Sequence, residues 1–236
     1  MAEILCSICA RGGSKGVKNK NIRLINGLEL IAYSIYQAKN SKLFKHIVVS
    51  TDSDEIATVA KKHGAEVFFK REAKLSSDTA AKVPVIRDCL LRSEKHYGKK
   101  FDYVVDLDAT APLRTSTDIV KAYGLFIKEK KENLITACEA RKNPYFNMVE
   151  IKDDKSVVLC KRSSFRRRQD APPVYDMNAS IYIFTRARLM KTDVVFGKHT
   201  ALYLMDKTSA FDIDDELDFK IVNMLISEKN LKIKDF

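Results

Sequence analysis

The loop after the first apolar run of the sequence has the composition of a phosphate-binding loop. Residues 10–16 read ARGGSKG, and Lys18, Lys20 and Arg23 follow shortly after. Glycines allow backbone N–H groups to approach a phosphate closely, and basic side chains neutralise its charge. The spacing fits neither the Walker A loop nor the dinucleotide-binding glycine motif. We therefore predict a nucleotide phosphate site here, with a flexible basic loop as the alternative.

Two acidic segments lie further along the chain. Asp106 lies within the mainly apolar run YVVDL and Asp108 directly follows it. Asp212 and Asp214 alternate with apolar residues along a segment that reads FDID. On an extended chain, alternate side chains point to the same face, so Asp212 and Asp214 are expected to lie close together. Paired carboxylates repel unless a cation lies between them, and a hard dication such as Mg²⁺ is the typical partner. Helix and turn capping is the alternative, and it accounts for Asp215 better than for Asp212.

Two further loops carry polar residues after apolar runs. Ser50, Thr51 and Asp52 follow the run HIVV, and Arg71 follows the run EVFF. A helix cap is the simpler interpretation of the first loop. Arg71 lies where a nucleotide base or sugar could be bound, although its position alone decides nothing.

The elements that have to position these loops alternate between strand and helix patterns. We predict strands at 4–9, 46–50, 66–69 and 103–107, and helices at 28–39, 54–63, 78–97 and 116–129. Such alternation predicts an α/β fold with a mostly parallel sheet, which binds ligands at the carboxyl ends of its strands. The segment 134–184 differs, with strand patterns at 134–138, 148–151, 157–159 and 180–184, before a helix at 217–227. We predict one domain over 1–236 with 134–184 as an inserted subdomain.

The composition narrows the classes of protein. Hydrophobic residues make up 45% of the 236 residues, without an apolar run long enough to span a membrane, and the first residues are expected to form a strand rather than a signal peptide. The five cysteines include one C-x-x-C without a second ligand pair, so core thiols in the reducing cytoplasm are expected. The formal net charge of +11 suits nucleic acid, an acidic membrane or a polyanionic small substrate.

Taken together and in this order, the motifs resemble those of the CMP-sialic acid synthetase family, the nonulosonate cytidylyltransferases. The matching stretches cover nearly the whole chain: 10–16 with Lys20 and Asn21, 49–52, Arg71 with 77–80, Thr110 with 112–114, Asn178 with 181–182, and 212–214 with 216–218. The resemblance implies a Rossmann-like nucleotidyltransferase fold, a homodimer formed through a small inserted subdomain, and CTP, an acidic sugar and Mg²⁺ as binding partners.

The resemblance also implies roles for individual residues. Catalysis is assigned to Arg11, Lys15, Lys20 and Asp214. Nucleotide binding is assigned to Arg11, Gly13, Ser14, Lys15, Lys20, Asn21, Arg71 and Asp108. The sugar is assigned to Tyr145, Phe146, Asn147, Arg168 and Tyr182, with Arg168 reaching it from the same or from the partner subunit. The metal is assigned to Asp212 and Asp214.

Two departures from the family pattern bear on the substrates. The first concerns cytosine, since an ionised Asp108 could still accept from its amino group, and the second concerns the sugar. Asp108 stands where many members have glutamine, and 143–147 reads NPYFN where a basic residue is usual. The second stretch is similar to enzymes for di-N-acetylated sugars such as legionaminic acid, so we predict a CMP-legionaminic acid synthetase. Sialic acid, another ulosonate or a neutral sugar phosphate stay open as alternatives. Nucleic-acid binding is a further alternative, supported by the basic run 161–168 and the high isoelectric point. The sequence has no tryptophan, zinc pattern or RNA-binding signature to favour it.

Overall fold

The computed structural model describes residues 2–228. Its strands are β1 (Ile4–Cys9), β2 (Leu24–Ile25), β3 (Leu28–Glu29), β4 (His46–Ser50), β5 (Tyr103–Leu107), β6 (Asn133–Glu139), β7 (Val149–Ile151), β8 (Val157–Leu159), β9 (Tyr175–Thr185) and β10 (Thr200–Leu204). Its helices are α1 (Leu30–Ser41), α2 (Asp54–Lys62), α3 (Lys82–Tyr97), α4 (Ser116–Glu129), α5 (Arg186–Lys191) and α6 (Glu216–Glu228).

Six strands form the central sheet, in the order β10-β6-β9-β5-β1-β4. All of them run the same way except β9, which is antiparallel to β5 and β6. The prediction of an α/β fold with a mostly parallel sheet is confirmed. Because the carboxyl ends of β1, β4 and β5 meet at one edge, the loops that follow them lie side by side.

The sheet is covered on both faces, as its continuous apolar strands require. One face packs against α1 and α4 through Ile31, Ile35 and Phe126. The other face packs against α3 and α5 through Ile86 and Leu189. No helix in the described residues 2–228 is both long and apolar enough to cross a membrane.

A third apolar cluster packs Ile213 and helix α6 against the segment that follows β1. It contains Val17 after the first loop, Ile25 of β2, Ile213 and the α6 residues Phe219 and Val222. This cluster places residues 211–214, called the acidic segment below, beside the loop after β1.

Two predicted elements are shorter than expected. The strand at 66–69 is wrong: only Glu66 pairs with the sheet, opposite Val48, and the chain then leaves the edge. The helix predicted from 78 begins at Lys82, because Ala81 has an extended backbone and serves as the N-cap. Pro84 is the third helical residue, where its missing N–H loses no intrahelical bond. The sequence patterns also missed β10, α5 and the β2–β3 hairpin.

The predicted insertion at 134–184 is only partly separate from the sheet. Its first and last strands, β6 and β9, are central strands of the sheet. The part outside the sheet is 140–174, which contains the antiparallel β7–β8 hairpin. It leaves the sheet at the edge where the site loops lie, because β6 ends there and the antiparallel β9 begins there.

Candidate active site

The loop at 10–16, called the glycine loop below, is fixed at the carboxyl end of β1. The Gly12 N–H donates to Asp52 Oδ1 at 2.9 Å, and Asn21 Nδ2 donates to the Arg11 carbonyl at 3.0 Å. Asp52 therefore anchors this loop, while Ser53 caps α2 by accepting from the Ile56 N–H. Gly13 has a φ of 67°, a conformation that glycine adopts without strain.

Arg11 and Lys15 both extend from the glycine loop to one carboxylate. Each forms an ion pair with Asp78, which lies in the segment before α3. The hydrogen bond from Lys15, followed by that from Arg11, lowers the pKa of Asp78. The two cations thus already converge on an anionic group, which is the geometry that a phosphate requires.

The acidic segment runs alongside the glycine loop. The Ile213 N–H donates to the Thr110 carbonyl at 3.0 Å, and the Ile213 side chain is fully buried. A Cβ on Gly16 would overlap the carbonyl oxygen of Asp214, so only glycine permits this approach. Lys20 Nζ donates to the Ile213 carbonyl at 2.6 Å and lies 3.8 Å from Asp214 Oδ1. Basic and acidic segments therefore meet at one point.

The two carboxylates of this segment differ in exposure. The Asp214 side chain is 83% exposed. Burial raises the pKa of Asp212 to about 6, and the negative charges of Asp214 and Asp108 add to the shift. A cation between these groups would relieve the repulsion, so the residues fit a divalent metal. Within residues 2–228, groups of three or more potential ligands are absent, so substrate phosphates and water would have to complete the coordination, as is usual for Mg²⁺.

Asp215, the next acidic residue, has the capping role expected of it. Its Oδ1 accepts from the N–H groups of Leu217 and Asp218, at 2.8 and 2.9 Å, and so starts α6.

The turn after β5 brings Asp108 to the same cleft. Asp108 Oδ1 accepts from the Thr110 N–H and hydroxyl, at 3.0 and 2.8 Å. Burial would raise the pKa of Asp108, but the Lys82 charge and the Thr110 hydrogen bonds lower it to about 2. Lys82 has no place in the sequence motifs, and only its spatial position next to Asp108 reveals it.

Arg114 supports this turn from below. It is fully buried and donates to the Ser34 hydroxyl, Gln37 Oε1 and the carbonyls of Ser180 and Asp108. Burial lowers its pKa to about 10, which still leaves the guanidinium charged at neutral pH. The sequence placed Arg114 in a motif but did not indicate this internal role.

Most of the predicted nucleotide residues line one cleft of about 290 Å³. They are Arg11, Ser14, Lys15, Lys20, Asn21 and Asp108, and the predicted metal ligand Asp214 lines the same cleft. Gly13 lines a small crevice on the other side of the same loop. The structure thus brings together residues from positions 11 to 214 of the chain.

Two of the predicted site residues, Arg71 and Tyr182, do not line this cleft. Arg71 is 5% exposed and donates to the hydroxyl and carbonyl of Ser50 and to the Leu75 carbonyl. Its contact with cytosine stays a prediction. Tyr182 is 6% exposed, with its ring centroid 5.2 Å from Lys82 Nζ.

The other predicted sugar residues lie in the segment 140–174, apart from the cleft. Arg168 donates to the Ala140 carbonyl at 3.1 Å and lines a separate cavity of about 590 Å³. Asn147 Oδ1 accepts from the Asn143 N–H at 2.8 Å, which is a turn contact. The ring centroid of Tyr145 lies 4.9 Å from Lys161 Nζ, and Phe146 is 36% exposed. A sugar-binding role for these four residues stays a prediction.

A basic glycine loop at the end of β1, facing carboxylates across a cleft of a mostly parallel sheet, defines a nucleotidyltransferase-type site. A cytidylyltransferase profile matches residues 5–233, and the chain belongs to the cytidylyltransferase family. The CMP-N,N'-diacetyllegionaminic acid synthase of Campylobacter jejuni is 67% identical over 236 residues, with all of both chains covered. The post-translational flagellin modification protein B of Campylobacter coli is 66% identical over the same length, again with full coverage.

The fold is also found in a solved enzyme structure. A CMP:2-keto-3-deoxy-manno-octonic acid synthetase complexed with CTP superposes with a TM-score of 0.73, covering 97% of this chain and 100% of the other at 12% identity. The predicted Rossmann-like nucleotidyltransferase fold and the predicted family are both confirmed.

Proposed function

We propose that the protein transfers the cytidylyl group of CTP to an acidic nine-carbon sugar of the legionaminic type and releases pyrophosphate. The observation that carries this proposal is the contact between the glycine loop and the acidic segment, at Gly16 and Asp214, on the wall of one cleft. The sugar is supported by the 67% identity to a CMP-N,N'-diacetyllegionaminic acid synthase. CTP as the nucleotide is supported by the CMP-sugar in the name of that relative. It is also supported by the solved synthetase of the same fold, which is complexed with CTP.

The reaction is an in-line displacement at the α-phosphorus of CTP by the anomeric hydroxyl of the sugar. Such transfers depend on positioning and charge neutralisation more than on covalent catalysis. Arg11, Lys15 and the N–H groups of the glycine loop would bind the triphosphate and stabilise the charge that moves to the leaving group. Asp78 would release both cations as the triphosphate enters, because phosphate oxygens replace its carboxylate.

Lys20 and Asn21 would hold the α-phosphate and the ribose, since both line the same cleft. Asp212 and Asp214 would hold Mg²⁺ together with phosphate oxygens and water. When bound, the ion would screen the negative charge of the reacting phosphates.

Removing either loop cation tests the phosphate site. We expect Arg11→Ala and Lys15→Ala to raise KM for CTP, to lower kcat, or both, by about tenfold or more, because each loses a charge-assisted bond to phosphate. Steady-state kinetics with varied CTP gives the result. Lys70→Met is a matched control, since Lys70 is exposed and pairs with Asp54 outside the cleft. Unchanged CTP kinetics in a variant would remove that residue from the site.

A panel of sugars tests the substrate. We expect kcat/KM for legionaminic-type sugars to exceed that for sialic acid by about tenfold or more, because a misplaced hydroxyl or an unfilled methyl site costs on the order of 1–3 kcal/mol. Tyr145, Phe146 and Asn147 would supply rings for methyl groups and an amide for the N-acetyl carbonyls. Pyrophosphate release with CTP and Mg²⁺ is the measurement, and an eight-carbon ulosonate belongs in the panel.

Equal or better kcat/KM with sialic acid would contradict the sugar assignment and leave cytidylyl transfer in place. Absence of pyrophosphate release with every sugar would contradict the proposed function itself. Salt-dependent retardation of a random oligonucleotide would then favour the nucleic-acid alternative.

We also propose a homodimer formed by the segment 140–174. Val149, Ile151 and Val157 of the β7–β8 hairpin are 60%, 74% and 64% exposed, and hairpin edges of this kind need a cover. A two-fold partner supplies one, and it would bring Arg168 towards the neighbouring cleft. Light scattering at micromolar concentrations should give twice the mass of the chain, and Ile151→Glu should shift it towards one chain. A monomeric wild-type protein would exclude the dimer.

The cytoplasm is the proposed compartment. All five cysteines are free thiols, which a reducing compartment preserves.

A further inference from the structure

A single lysine bridges two carboxylates at the end of β5. Lys82 Nζ lies 2.9 Å from Asp106 Oδ2 and 3.1 Å from Asp108 Oδ2. The lysine is the first residue of α3, and its side chain is 24% exposed. This ion triplet lies directly beneath the cleft that the glycine loop and the acidic segment form.

The two carboxylates have different surroundings. Asp106 is fully buried, and its other oxygen accepts from the Ser7 hydroxyl at 2.6 Å. Asp108 is 19% exposed and lines the cleft. Asp106 is therefore the internal member, and Asp108 is the member that a substrate can reach.

Both oxygens of Asp108 are held from the protein side. Thr110 donates twice to Oδ1, and Lys82 is paired with Oδ2. Each carboxylate oxygen accepts more than one hydrogen bond, so Asp108 keeps acceptor capacity on its cleft side. Asp108 lies close enough to the acidic segment for the negative charges to repel each other. The positive charge of Lys82 lowers the pKa of Asp108 and so keeps its carboxylate ionised there. An ionised carboxylate only accepts, so its partner on the substrate has to be a donor.

We infer that Lys82 is a positioning residue of the proposed cytidylyl transfer, which holds the Asp108 carboxylate at the cleft wall as an acceptor for a hydrogen-bond donor of one substrate. This inference rests on the proposed function. Lys82 acts through Asp108 and needs no contact of its own with the substrate. Asp106 fixes the other side of the ammonium, so that the lysine cannot turn away from Asp108.

The test compares Lys82→Met, Asp108→Asn and the double variant. We expect the two single changes to raise KM for the same substrate by about tenfold to a hundredfold, because a charge-assisted hydrogen bond is lost or misdirected. The double variant should be close to the worse single one, since both act on one contact. Lys82→Arg should recover most of the loss, because a guanidinium can also bridge two carboxylates.

A second background separates positioning from folding. Lys82→Met leaves the buried Asp106 without its cation, which destabilises the protein. Adding Asp106→Asn removes that charge and should recover the melting temperature, while the raised KM should persist because Asp108 still lacks its partner. Lys74→Met is the matched control, since Lys74 is 76% exposed and pairs with Glu72.

Several outcomes would overturn the inference. One is an unchanged KM in Lys82→Met, and another is that Lys82→Met and Asp108→Asn raise KM for different substrates. The others are additive losses in the double variant and a return of activity together with stability when Asp106→Asn is added to Lys82→Met. If the wild-type enzyme is active, each of these outcomes contradicts the role of Lys82 and leaves the proposed function intact. An inactive wild-type protein would instead overturn the proposed function.

Discussion

Replacing Asp214 by alanine should lower kcat by about a thousandfold or more at saturating CTP and Mg²⁺, because a lost metal ligand removes several kcal/mol of transition-state stabilisation. The Asp214 side chain is 83% exposed, so its removal should leave the melting temperature almost unchanged. The backbone N–H of Asp214 keeps its bond to Asp218 Oδ2 in the variant. Single-turnover and steady-state rates, measured over a range of Mg²⁺ concentrations, are the readout.

The neighbouring Asp215 provides the control for this experiment. It is also an exposed acid, but its carboxylate caps α6. Asp215→Ala should cost about 1 kcal/mol of stability as a lost N-cap and keep kcat within a few fold. Near-normal turnover of Asp214→Ala would show that the metal assignment is wrong, and equal losses in both variants would point to a general effect of the segment.

The second large effect is expected on stability. Arg114→Met should lower the free energy of unfolding by about 3–5 kcal/mol, because it removes several buried hydrogen bonds from a charged donor, each worth about 1.5–3 kcal/mol. Gln37 Oε1 loses the donor that the structure gives it, and the Ser180 carbonyl keeps the hydrogen bond from the Asp108 N–H. Chemical denaturation, followed by far-UV circular dichroism, measures the change.

Arg92→Met is the matched control for Arg114. The Arg92 side chain is 32% exposed and pairs with Asp88 and Glu72 at the surface. Partly exposed pairs of this kind contribute about 0–1 kcal/mol. A loss at Arg114 no larger than that at Arg92 would contradict the supporting role of the buried arginine.

The sequence predicted the parts of the site that depend on local order. A loop directly after a buried strand has to emerge at the end of that strand, so residues 10–16 and Asp108 were placed at the correct edge from the pattern alone. Alternation along the acidic segment predicted that Asp212 and Asp214 share one face, and in the structure the intervening Ile213 is fully buried.

The remaining features depend on which elements are neighbours in space. Lys82 carries no signal in the sequence, because the contact of α3 with β5 has no signature in either segment. The strand at 66–69 failed because the chain lies at the sheet edge, where only Glu66 forms ladder bonds. The predicted insertion 134–184 was too long because it included β6 and β9, which belong to the central sheet. An apolar run does not show whether its strand pairs with the central sheet or with a separate one.

The contact of Gly16 with the Asp214 carbonyl also bears on when the enzyme becomes active during synthesis. Lys20 and Ile213, which reinforce that contact, are 193 residues apart in the chain. Contacts of such long separation form late, since a large loop has to close first. A ribosome-bound chain can therefore complete β1 and its loop long before it has a catalytic centre. Partly made chains would present the basic loop without its acidic counterpart, and activity would appear only after the acidic segment has been synthesised and has folded against that loop.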